Sequence, residues 1–178
     1  MQLYLHEFNK KGINSPKVVP LKCMKNENLG DVQGMLKYQK LKKLFNLTST
    51  MYPGLIKVFY TNLSFEGDTI NSHVKGVDMV ITPKVWKEVA SLRNSSVVVG
   101  RGNTSAIEGF NKLDYFKCCL RNPNKQVRGY NIEGLSVYPR IIAFFVAWII
   151  TPRGHNHATL TEEDMIFMYC IINKIRVN

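Results

Sequence analysis

The chain has 178 residues, a formal net charge of +11 and an apolar content of 45%. This length and composition exclude a disordered chain and suffice for one ordinary domain with a buried core. The excess of positive charge points to an anionic partner: nucleic acid, an acidic protein surface or an anionic membrane surface.

The opening stretch, MQLYLHEFNKKGINS, carries Glu7 and no continuous apolar run, so no secretory signal is expected. The expectation is an intracellular protein, nuclear or cytoplasmic and not secreted. Its cysteines Cys23, Cys118, Cys119 and Cys170 are then expected as free thiols. Residues 1–30 read as a basic N-terminal arm, interrupted by Pro16 and Pro20. From Gln33 to Leu47, the residues Tyr38, Leu41, Leu44 and Phe45 fall at helical spacing. Lys37, Lys40, Lys42 and Lys43 then line the remaining surface, as a solvated face or as contacts to phosphate.

Pro53 suits the first turn of a second helix, which buries Leu55, Ile56, Phe59 and Leu63 and closes over Asn62 to Gly67. In INSHVKGVDMVI, Lys75-Gly76 divides two β-branched runs, which predicts a two-stranded hairpin turning at Gly76. Thr82-Pro83 supplies a cap and a first-turn proline for the next helix, with Val85, Trp86, Val89 and Leu92 as its buried face. Gly100-Arg101-Gly102 follows an apolar run, but it lacks the Gly-Lys-Ser/Thr ending of a phosphate loop and reads as a plain loop. Residues 121–134 are loop-like by composition. Ile141 to Ile150 predicts a buried helix entered at Pro139. It falls short of the roughly 20 apolar residues that span a bilayer, so no membrane span is expected.

Several of these phrases, in this order, resemble the plant transposon protein domain family, which occurs in plant retrotransposon-derived open reading frames. They are YPGLIKVFYTNL, INSHVKGVDMVI followed by TPKVWKEVASL, and IITPRGHNHATLTEEDMIFMYCIINKIRVN. The resemblance implies a mostly helical domain of mobile-element origin without established catalysis. It also implies a domain cut short at its C-terminus, since family members continue past this point.

The stretch TPRGHNHATLTEEDM raises a metal site at His155 and His157, two residues apart as on an extended strand. A third ligand at a recognisable spacing is missing. The alternative is a helix start: Thr161 caps it, Asp164 completes a capping box, and three acids favour the positive helix end. Cys118 and Cys119 lie beside Lys117 and Arg121, which would activate a thiol. A buried pair is the alternative. No catalytic, cofactor or metal residue is assigned, and neither a cofactor nor a small-molecule substrate is expected.

The fold expected is mainly α: a single helical domain over residues 31–178 with one small β-hairpin near residues 69–81. The first function expected is non-catalytic, a retrotransposon-derived domain acting by assembly or interaction with itself or a polyprotein partner. The alternative is a basic, sequence-independent nucleic-acid-binding module using Lys37, Lys40, Lys42 and Lys43 with residues 112–128. A metal-dependent nuclease is the third. In the C-terminal helix, Phe167 and Ile171 fall outside the main apolar stripe, which predicts an exposed interface there.

Overall fold

The computed structural model describes residues 8–13, 17, 29–45, 49–92, 107–152 and 156–177. The chain divides into two compact units, Met1–Val18 with Leu47–Arg93, and Val19–Asn46 with Asn94–Asn178. The expectation of a mainly α fold with a lone two-stranded hairpin is corrected. The fold is mixed α/β with helices predominating, and its sheet has three antiparallel strands.

The sheet belongs to the first unit. Strands β1 (Ser64–Glu66), β2 (Thr69–Val74) and β3 (Val77–Ile81) pair in sequence order. The β2–β3 turn lies where the sequence placed it. Lys75 (φ 49°) and Gly76 (φ 84°) are both left-handed, the backbone that a two-residue hairpin turn of matching twist requires. The extra strand arises because Gly67-Asp68 makes a second two-residue turn, with Gly67 at φ 56° and Glu66 opposite Thr69. Glycine tolerates that backbone without steric cost, so the chain reverses there and does not simply trail out of the helix. Helix α3 (Pro53–Thr61) packs on β2. Ser72 Oγ donates to the Phe59 carbonyl at 2.8 Å, and Asn62 Nδ2 donates to the His73 carbonyl at 2.6 Å.

Helix α4 (Pro83–Ala90) starts as expected, with Thr82 Oγ1 accepting from the Val85 N–H. Its expected buried face is corrected. Trp86 and Val89 are exposed, Val85 and Leu92 are half-buried, and only Ala90 is buried. The apolar stripe presumes a core wide enough to cover it. The described residues of this unit bury only Ser72, Val74 and Ala90.

The second unit is helical and has a continuous core. The helix expected from Gln33 to Leu47 is broken into α1 (Gly30–Tyr38) and α2 (Lys42–Phe45). Lys40 adopts a left-handed φ of 60°; Lys40 N donates to the Lys37 carbonyl and Leu41 N to the Leu36 carbonyl. These two bonds satisfy carbonyls at the helix end and stop it there. Helices α5 (Lys112–Cys119), α6 (Val137–Phe145) and α7 (Glu162–Ile172) complete the unit. Pro139 sits in the first turn of α6. Residues Val146–Ile150 continue it as a widened π turn, closed by Thr151 N on the Val146 carbonyl at 2.8 Å.

Helix α7 runs through the middle of this unit and touches α1, α5 and α6. That arrangement explains why it is apolar nearly all round. Met165, Met168 and Ile171 join the main core with Leu36, Phe45, Leu135, Ile142 and Phe145. Ile166 and Cys170 face a smaller cluster with Ile107. The expected interface at Phe167 and Ile171 is therefore corrected. Ile171 is 1% exposed, and Phe167 is half-buried against the main core. The side expected to lack a cover is covered by neighbouring helices. No described helix is long and apolar enough to cross a membrane.

Candidate nucleic-acid interface

The loop from 121 to 134 begins and ends at one place in the second unit. Leu120 and Leu135 form an isolated antiparallel bridge. Arg121 N donates to the Gly134 carbonyl, and Ser136 donates to the Cys119 carbonyl through both its N–H and its hydroxyl. Gly134 suits this closure: a Cβ there would sit 3.1 Å from Leu120 Cδ2. Inside the loop, Asn122-Pro123-Asn124-Lys125 forms a tight turn. Asn122 Oδ1 accepts from Asn124 N, and the Asn122 carbonyl accepts from Lys125 N. The returning limb is tied down by 158–160, with Ile132 N on the Ala158 carbonyl and Leu160 N on the Tyr130 carbonyl. The Tyr130 ring packs edge-on against Phe116, and Lys112 Nζ lies 5.0 Å from its centroid.

A cleft of about 520 Å³ opens within this loop. Arg121, Lys125 and Arg128 line it as cations; Phe116, Leu120 and Val127 give it apolar wall. Two guanidinium groups meet where the loop closes. Arg121 Nη2 and Arg140 Nη2 both donate to the Glu133 carbonyl oxygen, each at 2.6 Å, and Arg140 also donates to the Leu135 carbonyl. Two like charges are thus gathered on one neutral acceptor. The Glu133 carboxylate also lines the cleft, yet among the described residues it forms no ion pair with these cations. The Nε of Arg140 is buried with no hydrogen-bond partner among the described residues.

The lysines singled out in the sequence lie elsewhere in this unit. Lys37, Lys42 and Lys43 are exposed on α1 and α2, while Lys40 is half-buried at the break between them. None of the four lines the cleft. Residues 112–128, named with them, do supply Arg121, Lys125 and Arg128.

Of the two histidines, His155 lies outside the described residues, as does Gly100-Arg101-Gly102. His157 stacks on Trp148, ring centroids 3.8 Å apart and planes 12° from parallel, with Nδ1 buried and unpartnered among the described residues. Among the described residues no three His, Cys, Asp or Glu side chains gather as a metal site would require. The helix start is explicit. Thr161 Oγ1 accepts from Asp164 N at 3.2 Å, and Asp164 Oδ2 accepts from Thr161 N at 2.8 Å. Asp164 is 1% exposed, and its Oδ1 also accepts from Thr151 Oγ1. One carboxylate thereby joins the end of the π turn to the start of α7. Thr151 was the one signal in the sequence for that link, and its hydroxyl names no partner by itself.

The cysteines divide by burial. Cys118 is exposed, whereas burial pushes the Cys119 and Cys170 thiols up to about 11. Burial likewise raises the Tyr115 phenol far above its ordinary value. Such groups stay protonated near neutral pH, so neither buried thiol is an activated nucleophile.

No family model, curated protein or solved structure matches this chain.

Proposed function

We propose that the chain is a non-catalytic module that holds nucleic acid by its phosphates, in the nucleus or cytoplasm. The observation that carries this reading is the cationic neck and rim: Arg121 and Arg140 on one carbonyl, with Lys125 and Arg128 beside them. Guanidinium groups suit phosphate because their donors are planar and permanently charged. Lys37, Lys42 and Lys43 add exposed charge on the same unit, and the net charge of +11 favours encounter with a polyanion. Binding of this kind is sequence-independent, because phosphate contacts carry no base information. The test is fluorescence anisotropy with oligonucleotides of several sequences, titrated over a range of KCl. Affinities should agree within about threefold across sequences and fall steeply with salt, by about 0.7 to 0.9 log units per tenfold salt for each phosphate contacted. No binding at low salt would overturn the reading.

A second reading follows from the sheet unit. Phe65, Val77 and Val80 are 71%, 62% and 55% exposed. Exposed apolar residues of this kind support assembly with another copy or a polyprotein partner, the role that the resemblance to retrotransposon-derived domains suggests.

A further inference from the structure

The cleft differs from a flat basic patch, and the difference bears on which form of nucleic acid it takes. It is a half-open concave space of about 520 Å³, walled by the loop and the end of α5. Its cations stand around apolar wall from Phe116, Leu120 and Val127. A polar edge stands there too. Asn131 lines the cleft and uses its Oδ1 to accept from Thr159 Oγ1, while its exposed amide nitrogen has no hydrogen-bond partner among the described residues. A duplex offers such a loop only its convex rows of phosphate, leaving the apolar wall and the Asn131 amide unused. Bases in a single strand are free to turn outward, so one nucleotide can enter while its neighbours' phosphates stay at the rim.

We infer that the 121–134 cleft accommodates one nucleotide of a single strand. The base lies against Val127 and Leu120, its edge reaches the Asn131 amide, and the flanking phosphates lie on Arg121, Lys125 and Arg128. This rests on the reading of the chain as a nucleic-acid-binding module. Lys125 and Arg128 have exposed side chains that make no ion pair among the described residues, so neutralising them should leave the fold intact. Arg121 and Arg140 bond the loop's own carbonyls, which makes them poorer probes.

The experiment compares, by anisotropy at one salt concentration, a labelled oligothymidylate of about 12 nucleotides with a duplex of the same length, because that length fits within single-strand site sizes. Thymidine monophosphate and inorganic phosphate serve as competitors at equal concentration. The expected result is at least tenfold tighter binding of the single strand, because only there can a base turn out of its stack into the cleft. Thymidine monophosphate should displace it at concentrations where phosphate does not. Lys125→Gln with Arg128→Gln should weaken the single strand about tenfold, with circular dichroism unchanged. Asn131→Ala should erase the advantage of the nucleotide over phosphate. Equal or tighter duplex binding would overturn the cleft assignment and leave the phosphate-binding module standing. So would undiminished single-strand binding by the double variant. Failure of both probes to bind would overturn the module reading itself.

Discussion

The two units obey the same local rules and reach different degrees of burial. In the sheet unit, turns and caps are well formed, yet the described residues bury only Ser72, Val74 and Ala90. In the helical unit, α7 alone buries Asp164, Met165, Ile166, Met168, Cys170 and Ile171. Local signals such as Gly76 or Thr82 specify where a chain turns or a helix begins. They do not specify how much apolar surface is covered afterwards. The sheet unit therefore depends on backbone pairing and short side-chain bonds. The helical unit depends on close packing around one central helix, where each fully buried large side chain contributes about 1.5–3 kcal/mol.

The sharpest way to break this comparison is to place the same polar side chain in each unit. Ile171→Ser puts a hydroxyl into the main core and leaves a cavity, and should cost about 3–5 kcal/mol. Val80→Ser changes a side chain that is already exposed and should stay within about 0.5 kcal/mol. Urea unfolding followed by circular dichroism measures both. Equal costs would erase the distinction between the units. If the sheet face that carries Phe65 and Val77 serves assembly, Phe65→Ser with Val77→Ser should lower the sedimentation coefficient without altering the urea midpoint.

A smaller effect is expected where the helical unit relies on a polar link. Asp164→Ala removes the acceptor of Thr161 N and of Thr151 Oγ1, and should cost about 2 kcal/mol. Thr161→Ala removes the hydroxyl that accepts from Asp164 N and should cost about 1 kcal/mol. Hydrogen exchange at the first turn of α7 should quicken in both variants. An Asp164→Ala cost no larger than that of Thr161→Ala would show that the Thr151 link contributes nothing.

The smallest effect concerns the thiols. Burial holds Cys119 and Cys170 at about 11, against an ordinary 9.0, which favours the protonated form in the folded chain. The associated stability is complete below pH 9 and is lost as pH rises through 11. Alkylation mapped to individual cysteines should modify Cys118 first in native buffer, with Cys119 and Cys170 reacting only as the unit opens. Cys119 alkylated as fast as Cys118 would contradict its burial.

Much of the local architecture was legible in the sequence. Pro53, Lys75-Gly76, Thr82-Pro83 and the Thr161–Asp164 box act over two to four residues, through backbone angles and capping bonds that hardly depend on the rest of the chain. Gly67-Asp68 carried the same kind of turn signal, but the helical pattern before it led to the strand being read as a helix end. The break at Lys40 was less legible, since lysine carries no intrinsic preference for a left-handed backbone.

What the sequence by itself determined is therefore local: where helices start, where the hairpin turns, and that the chain is basic and rich enough in apolar residues to fold. The tertiary structure decided what those elements cover and what they bring together. Ile171 is buried because three helices surround α7, a fact of long-range packing that its own periodicity does not contain. Trp86 is exposed because too little of its unit packs over it. Arg121 and Arg140 converge on Glu133 because the loop closes between Leu120 and Leu135, which brings charges distant in sequence to a single oxygen atom.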